Sequence, residues 1–99
     1  MSGVNFYVYI ITNKNHTVLY TGFTSDLERR MFEHKTGVYK EFSFKYNCNE
    51  LLYYEEFIDK EEALHRERQL KKYKREWKEN LICGFNPSWR DLYDDFLLD

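Results

Sequence analysis

FYVYIIT, the stretch from Phe6 to Thr12, is rich in aromatic and β-branched residues and stops at the polar residues Asn13–His16. Such a run predicts a β-strand that ends in a turn. A second run, VLYTG at Val18–Gly22, follows soon after. The short polar connection between the two runs favours an antiparallel hairpin as the start of the fold.

The first helix is predicted directly after this hairpin. Ser25 and Glu28 have the spacing of a capping box, in which the two side chains bond the first backbone N–H groups of a helix. Leu27 and Met31 recur at helical spacing and predict its buried side, with Phe32 as a further candidate. Gly37 predicts the end of the helix, because glycine adopts the left-handed backbone at little cost.

The second half of the chain predicts one more strand and further helices. LLYYEEF at Leu51–Phe57 predicts a third strand, which we expect to pair with both strands of the hairpin. Asp59 opens a longer helix, for which the sequence indicates a break near Tyr73–Arg75. Trp89–Leu98 has the pattern of a short C-terminal helix.

The composition agrees with one small domain. The 99 residues are 42% hydrophobic and 32% charged, and the aromatic share of 19% supplies large side chains for a modest core. We expect a single α+β domain over 1–99, with a three-stranded antiparallel sheet flanked by helices. The core is expected at about 6–92 and an acidic tail at 91–99.

Charge and cysteine usage bear on the partners and the compartment. The net charge of −2 is not typical of a nucleic-acid-binding protein, but the region 60–78 is basic and the acidic tail masks it. No apolar run reaches the roughly 20 residues of a membrane span, and the N-terminus does not resemble a signal peptide. We therefore expect a cytoplasmic protein in which Cys48 and Cys83 are free thiols.

Glu67 occupies an unusual place on the second helix. With Ala63 placed at zero on a helical wheel, Glu67 falls at about +40° and Leu70 at about −20°. The carboxylate thus lies within the apolar arc, where an unpaired charge is costly. It needs a metal, a cation or an opening to solvent; the plain structural alternative is a pair with Arg66 or Lys71 at the edge of the arc.

Other side chains suit chemistry as well as packing. Arg30 and His34 are four residues apart and share one face of the first helix, where they combine a phosphate-binding fork with a group that titrates near neutral pH. Tyr9 and Tyr20 lie on the two strands of the hairpin and are expected to be close together. Gly22 permits a close approach of the backbone. Each feature alone also has a structural explanation, as a solvated pair, a cross-strand contact or a turn.

The order of these features resembles the GIY-YIG nuclease family. The first signature is present as YVY at Tyr7–Tyr9, with a tyrosine in place of its glycine, and the second as YTG at Tyr20–Gly22, with a threonine in place of its isoleucine. DLERRMFEHK is similar to the next segment of the family and matches its arginine to Arg30 and its histidine to His34. EEALHRERQLKK is similar to the later helix and matches its metal-binding glutamate to Glu67.

This resemblance implies an endonuclease with DNA favoured over RNA as its substrate and with one divalent ion, Mg²⁺ or Mn²⁺, held by Glu67. It implies selection of DNA structure rather than sequence, and it favours Tyr9 over Tyr20 as the general base. The implied catalytic residues are Tyr9, Tyr20, Arg30, His34 and Glu67. The candidates for substrate binding are Gly22, Lys35, Lys40, Lys45, Arg66 and Lys71.

Two other functions stay open at the level of the sequence. One is a nucleic-acid-binding module of the same fold without significant turnover, which the net charge favours and the filled catalytic positions disfavour. The other is a protein-interaction domain that uses the acidic, aromatic tail Trp89–Asp99, although such a module has no need for Arg30, His34 and Glu67 at these places. No pattern indicates an oligomeric state.

Overall fold

The two runs that open the chain form the predicted antiparallel hairpin, and the first of them lies at the centre of the sheet. The computed structural model describes residues 5–37 and 46–97. Its elements are β1 (Phe6–Thr12), β2 (Leu19–Thr24), α1 (Leu27–Thr36), β3 (Glu50–Phe57), α2 (Lys60–Lys71), α3 (Arg75–Phe85) and a 3₁₀ helix (Leu92–Leu97). The expected α+β class, a three-stranded antiparallel sheet flanked by helices, is confirmed.

The third strand pairs with β1 alone, so the strand order is β2-β1-β3. The expectation that it would pair with both hairpin strands is wrong. The reason lies in β1, whose residues Val8–Thr12 are all buried. A strand that is apolar on both faces is most stable in the middle of the sheet, where both of its edges are paired.

The start of α1 differs from the capping box expected at Ser25. Asp26 is the N-cap, and its Oδ1 accepts the backbone N–H of Arg29 at 3.1 Å. Thr24 Oγ1 in turn accepts the backbone N–H of Asp26 at 3.1 Å, which holds the cap in place. Gly37 ends the helix with a φ of 77°, as expected.

The buried side of α1 also contains a polar residue that the apolar pattern did not include. Leu27, Met31 and His34 are buried, whereas Phe32 is exposed. On a helical wheel Phe32 lies about 100° from Met31, on the side away from Leu27. His34 falls about 20° from Leu27 on the same wheel, so its imidazole completes the buried face from which Phe32 points away.

The two helices of the second half behave as the sequence predicts. Asp59 caps α2, with its Oδ2 accepting the backbone N–H of Glu62 at 3.0 Å. The predicted break is confirmed, because α2 ends at Lys71 and α3 begins at Arg75. None of the helices within 5–37 and 46–97 has the length and apolarity needed to span a bilayer.

Alternate residues of β1 pack against helices on opposite faces of the sheet. One face carries Tyr9 and Ile11, which pack with Leu27 and Met31 of α1 and with Leu92 of the 3₁₀ helix. The other face carries Val8, which packs with Ala63 and Leu70 of α2, and Ile10, which packs with Ile82 of α3. Both faces of the central strand are thus covered.

The two cysteines are free, as expected. Cys48 is buried in the cluster beneath α1, and this burial raises the pKa of its thiol to about 11. Cys83 is exposed on α3. The Cys48 side chain therefore acts as a small apolar group of the core rather than as a reactive thiol.

Gly22 lies against the ring of Tyr9, and a substitution at this position tests the packing of the hairpin. It is the cross-strand partner of Tyr9, and a Cβ at this position would overlap the Cζ and Oη atoms of that ring. We expect Gly22→Ala to lower the free energy of unfolding by about 1–3 kcal/mol in urea titrations, because the ring must move.

Gly84 is the matched control for this substitution. It lies in α3, and a Cβ there would have no atom within 4 Å. Gly84→Ala is expected to leave stability unchanged or to raise it by up to about 1 kcal/mol, since alanine is the better helix former. Equal losses in the two variants would contradict the proposed overlap with Tyr9.

Candidate active site

A buried hydrogen bond joins Tyr9 of β1 to His34 of α1. The Tyr9 hydroxyl lies 3.2 Å from Nε2 of His34, and the two ring centroids are 5.9 Å apart. Tyr9 is only 1% exposed, and His34 is buried as well. A neutral imidazole with its proton on Nδ1 accepts this bond from Tyr9, and the other tautomer donates it.

Tyr20 completes an aromatic group around the imidazole. It lies on β2, on the same face of the sheet as Tyr9, and its ring centroid is 6.3 Å from that of His34. Tyr20 is half-buried, in contrast to the fully buried Tyr9. Tyr9, Tyr20, Gly22 and His34 are therefore brought together by the hairpin and the helix that covers it.

Arg30 lies one turn before His34 and borders a polar groove. Its Nε is 3.3 Å from Oε1 of Glu33, and Oε2 of the same carboxylate lies 3.3 Å from Nε of Arg29. The groove has a volume of about 260 Å³ and is lined by Thr24, Ser25, Asp26, Arg29, Arg30 and Glu33. Glu33 thus holds two guanidinium groups at the first turns of α1.

The sequence patterns did not single out Glu33 as a candidate site residue. Its signal was nevertheless present, because Glu33 follows Arg29 and Arg30 at spacings of four and three residues. Oppositely charged side chains at these spacings are neighbours on a helix.

Glu67 lies on α2, the helix that covers the opposite face of the sheet from His34. Its side chain is 17% exposed, and its carboxylate lies 3.0 Å from Nζ of Lys71, which is 52% exposed. The carboxylate is therefore largely buried, as its place in the apolar arc indicated, and Lys71 is the cation beside it. Arg66 instead bonds Glu55 of β3, with Nη2 at 3.0 Å from Oε2.

These contacts show which way Glu67 faces. Ala63 and Leu70 rest on β1, and Arg66 reaches β3 on one side of them. Glu67 projects about 100° from Arg66 around the helix, on the side of β2. Thr21 of β2 faces the same layer, and its Oγ1 is buried without a hydrogen-bond partner among the described residues.

The basic residues expected to bind substrate have partners within the chain. Nζ of Lys35 donates to the carbonyl of Asn49 at 2.8 Å and also pairs with Asp91. Arg66 and Lys71 form the carboxylate pairs described above, and Gly22 lies against Tyr9. Lys40 and Lys45 lie outside the described residues. A role for these residues in substrate binding stays a prediction.

The side chains around Glu67 suit a metal ion that needs few protein ligands. Within 5–37 and 46–97, no cluster of three or more His, Cys, Asp or Glu side chains is arranged to hold a metal. Glu67 is a single carboxylate on the side of the sheet where the Thr21 hydroxyl is buried without a hydrogen-bond partner among the described residues. Mg²⁺ commonly keeps several waters and takes one or two protein carboxylates together with substrate phosphates, so one glutamate fits this chemistry.

Residues 5–80 match the family model for the GIY-YIG catalytic domain. The chain belongs to the GIY-YIG family. The resemblance drawn from the two imperfect signatures is therefore confirmed. GIY-YIG domains are nuclease domains, and nucleic acids are the substrates of the family.

Several small GIY-YIG relatives match over most of their length. A UPF0213 protein of Haloquadratum walsbyi is 39% identical over 75 residues, which cover 76% of this chain and 83% of that protein. A UPF0213 protein of Clostridium perfringens is 40% identical over 78 residues, which cover 79% and 83%, respectively. The solution NMR structure of a UPF0213 protein from Bacillus halodurans is 35% identical, with a TM-score of 0.51 and coverage of 79% and 82%.

Removing the hydrogen bond between Tyr9 and His34 is expected to lower the stability of this GIY-YIG domain measurably. Tyr9→Phe keeps the ring above Gly22 and removes the hydroxyl, so His34 loses a buried partner. We expect the free energy of unfolding in urea to fall by about 1 kcal/mol.

Tyr93→Phe is the control for this variant. Tyr93 packs against the same cluster, and its hydroxyl makes no hydrogen bond within the described part of the chain. Its stability is expected to stay within about 0.5 kcal/mol of the wild type. A Tyr9→Phe variant as stable as Tyr93→Phe would show that the bond to His34 contributes nothing.

Proposed function

We propose that this chain is an endonuclease that hydrolyses phosphodiester bonds of DNA with one Mg²⁺ or Mn²⁺ ion and selects DNA structure rather than sequence. The observation that carries the proposal is the imidazole of His34 set between Tyr9 and Tyr20, one turn from Arg30. This arrangement occurs in a chain that belongs to a nuclease family.

Tyr20 is the better candidate to orient and deprotonate the attacking water. The hydroxyl of Tyr9 is buried against His34, whereas Tyr20 is half-buried and lies at the rim of the cluster. A tyrosine with an ordinary pKa is a weak base at neutral pH, so it benefits from a proton acceptor at its side. His34 lies against both rings, and in the tautomer whose Nε2–H donates to the Tyr9 hydroxyl its Nδ1 carries the lone pair that can accept that proton, while Tyr9 positions the imidazole.

Arg30 supplies a fixed positive charge for the phosphoryl oxygens. Its guanidinium is a planar fork that suits two oxygens at once. The contact from Glu33 to Nε restrains the side chain before substrate arrives. A donor held in place stabilises developing charge without reorganisation during the reaction.

Glu67 would hold the metal ion. Its carboxylate is largely buried, and its cationic neighbour Lys71 is exposed and can turn away into solvent. The buried Thr21 hydroxyl on the same side of the sheet offers a polar group for a bound water. When bound, the ion withdraws negative charge from the phosphate and stabilises the leaving oxygen.

Glu67→Gln tests the metal ligand directly. The amide keeps the size of the side chain and loses the charge, so Mg²⁺-dependent nicking of plasmid or branched DNA is expected to fall at least about 100-fold. Glu79→Gln is the matched control, because Glu79 also pairs with a basic residue of its own helix, Arg75 at 2.8 Å. The control is expected to cut at the wild-type rate.

Equal cutting by the wild type and Glu67→Gln would mean that the activity is a contaminant or that the ligand is wrong. If the wild type binds branched DNA but cuts neither DNA nor RNA with Mg²⁺ or Mn²⁺, the chain is a binding module without turnover.

Tyr20→Phe and Tyr9→Phe separate the roles of the two tyrosines. Loss of the group that activates water typically costs a factor of about 100 or more, so Tyr20→Phe is expected to show the larger loss in single-turnover cleavage. Tyr9→Phe leaves Tyr20 and Arg30 in place and is expected to lose about tenfold or less. A larger loss in Tyr9→Phe would assign water activation to Tyr9, as the sequence favoured.

A further inference from the structure

A basic and aromatic groove lies on the outer surface of the α2–α3 joint, and its lining contains none of the candidate catalytic residues. It has a volume of about 380 Å³ and is lined by His65, Arg68, Gln69, Lys72, Tyr73 and Trp77. Arg68 and Lys72 project about 140° and 180° from Ala63 around α2, so they face away from the sheet. The lining contains no carboxylate among the described residues.

The groove exposes a large aromatic surface. Trp77 is 48% exposed, and the ring of Tyr73 stands beside it at a centroid distance of 5.3 Å and an angle of 90°. Nζ of Lys74 lies 5.7 Å from the centre of the Trp77 ring, within the range of a cation–π contact. Tyr73 thus supports the indole from the side, and the flexible Lys74 is the cover that a ligand can displace.

The positive charge of this groove is not neutralised by ion pairs with the residues of 5–37 and 46–97. On the same two helices, Arg66, Lys71 and Arg75 each pair with a glutamate. By contrast, Arg68, Lys72 and Lys74 form no ion pair with any residue of 5–37 or 46–97. A chain with a net charge of −2 therefore keeps a cluster of unneutralised cations around its exposed indole.

We propose that this groove binds single-stranded nucleic acid, with a base stacked on Trp77 and with Arg68, Lys72 and Lys74 bonded to backbone phosphates. Aromatic rings and cations that line the same groove suit an unpaired strand, because every base has a face to stack and every nucleotide has a phosphate. In a duplex the base faces are already stacked on one another. An acidic peptide satisfies the cations but makes no use of the indole.

The inference rests on the proposed function for its ligand class and deepens it. An endonuclease that holds an unpaired strand outside its active site prefers DNA with a single-stranded arm beside a duplex. Recognition of such a junction needs no base-specific contact and agrees with selection by structure.

Binding of a fluorescein-labelled oligothymidylate tests the groove without any cutting. Anisotropy is measured at low salt with EDTA, so the result does not depend on a metal or on turnover. Trp77→Ala is expected to weaken binding about tenfold or more, and Trp77→Phe to retain most of it, because stacking on an aromatic side chain accounts for losses of this size. Circular dichroism confirms that each variant is folded.

A double substitution tests the phosphate contacts. Arg68→Gln with Lys72→Gln is expected to reduce the slope of log affinity against log salt by about 1.4, since each contact to a single strand contributes about 0.7. The matched controls are Lys14→Gln with Lys60→Gln, which remove two exposed lysines elsewhere, and Phe32→Ala, which removes an exposed aromatic ring from α1. Both controls are expected to bind within about twofold of the wild type.

The proposal is overturned if Trp77→Ala binds oligothymidylate as tightly as Phe32→Ala, or if duplex DNA competes as well as the single strand. Competition by polyglutamate equal to that of the oligonucleotide would assign the groove to acidic protein chains and would also overturn it. Failure of the groove proposal is distinct from failure of the nuclease proposal. If the wild type binds oligothymidylate but cuts no DNA, only the nuclease proposal fails. If it cuts DNA and Trp77→Ala binds normally, only the groove proposal fails.

Discussion

β1 is paired along both of its edges and covered on both of its faces, and the positions of the remaining elements follow from that burial. Val8 and Ile10 require helices on one face, while Tyr9 and Ile11 require them on the other. β2 and β3 satisfy the backbone N–H and C=O groups of the strand. With a central strand of this kind, a chain of 99 residues forms two apolar layers rather than one.

The same alternation divides the proposed chemistry between two layers. The tyrosines, His34 and Arg30 belong to the layer of α1. There the Tyr9 hydroxyl and the His34 imidazole form a small buried polar cluster, and the ring of Tyr20 lies beside it. Glu67 belongs to the layer of α2 and faces the edge strand β2. A phosphodiester bound by both layers would therefore lie at the edge of the sheet formed by β2, beside which residues 5–37 and 46–97 place no further strand.

Local sequence signals predicted local structure well. The hairpin, the cap at Asp59, the left-handed Gly37 and the break before Arg75 each depend on neighbours within a few residues, and the structure contains all of them. Asp26 rather than Ser25 caps α1, and its backbone N–H donates to Thr24 of the preceding strand, a contact that the capping-box pattern does not include.

Features that depend on contacts between residues far apart in the chain were harder to predict from the sequence. The pairing of β3 with β1 alone depends on which strand is buried on both faces, and the bond from Lys35 to Asp91 joins residues far apart in the chain. For the candidate site, the helical wheel correctly indicated the buried carboxylate of Glu67. The wheel could not show that the residue lies in a different layer from His34, because the layer depends on how the whole helix packs on the sheet.

The cross-strand pair of Tyr9 and Gly22 has an evolutionary consequence. Tyr9 of the first signature and Gly22 of the second are thirteen positions apart in the chain, but they are in contact, because the tyrosine ring on one strand fills the space that a side chain at the glycine of the next strand would need. Selection cannot treat such positions as two independent motifs. A lineage that replaces the glycine must also shrink or redirect the tyrosine, so the two positions should be inherited, lost and exchanged together.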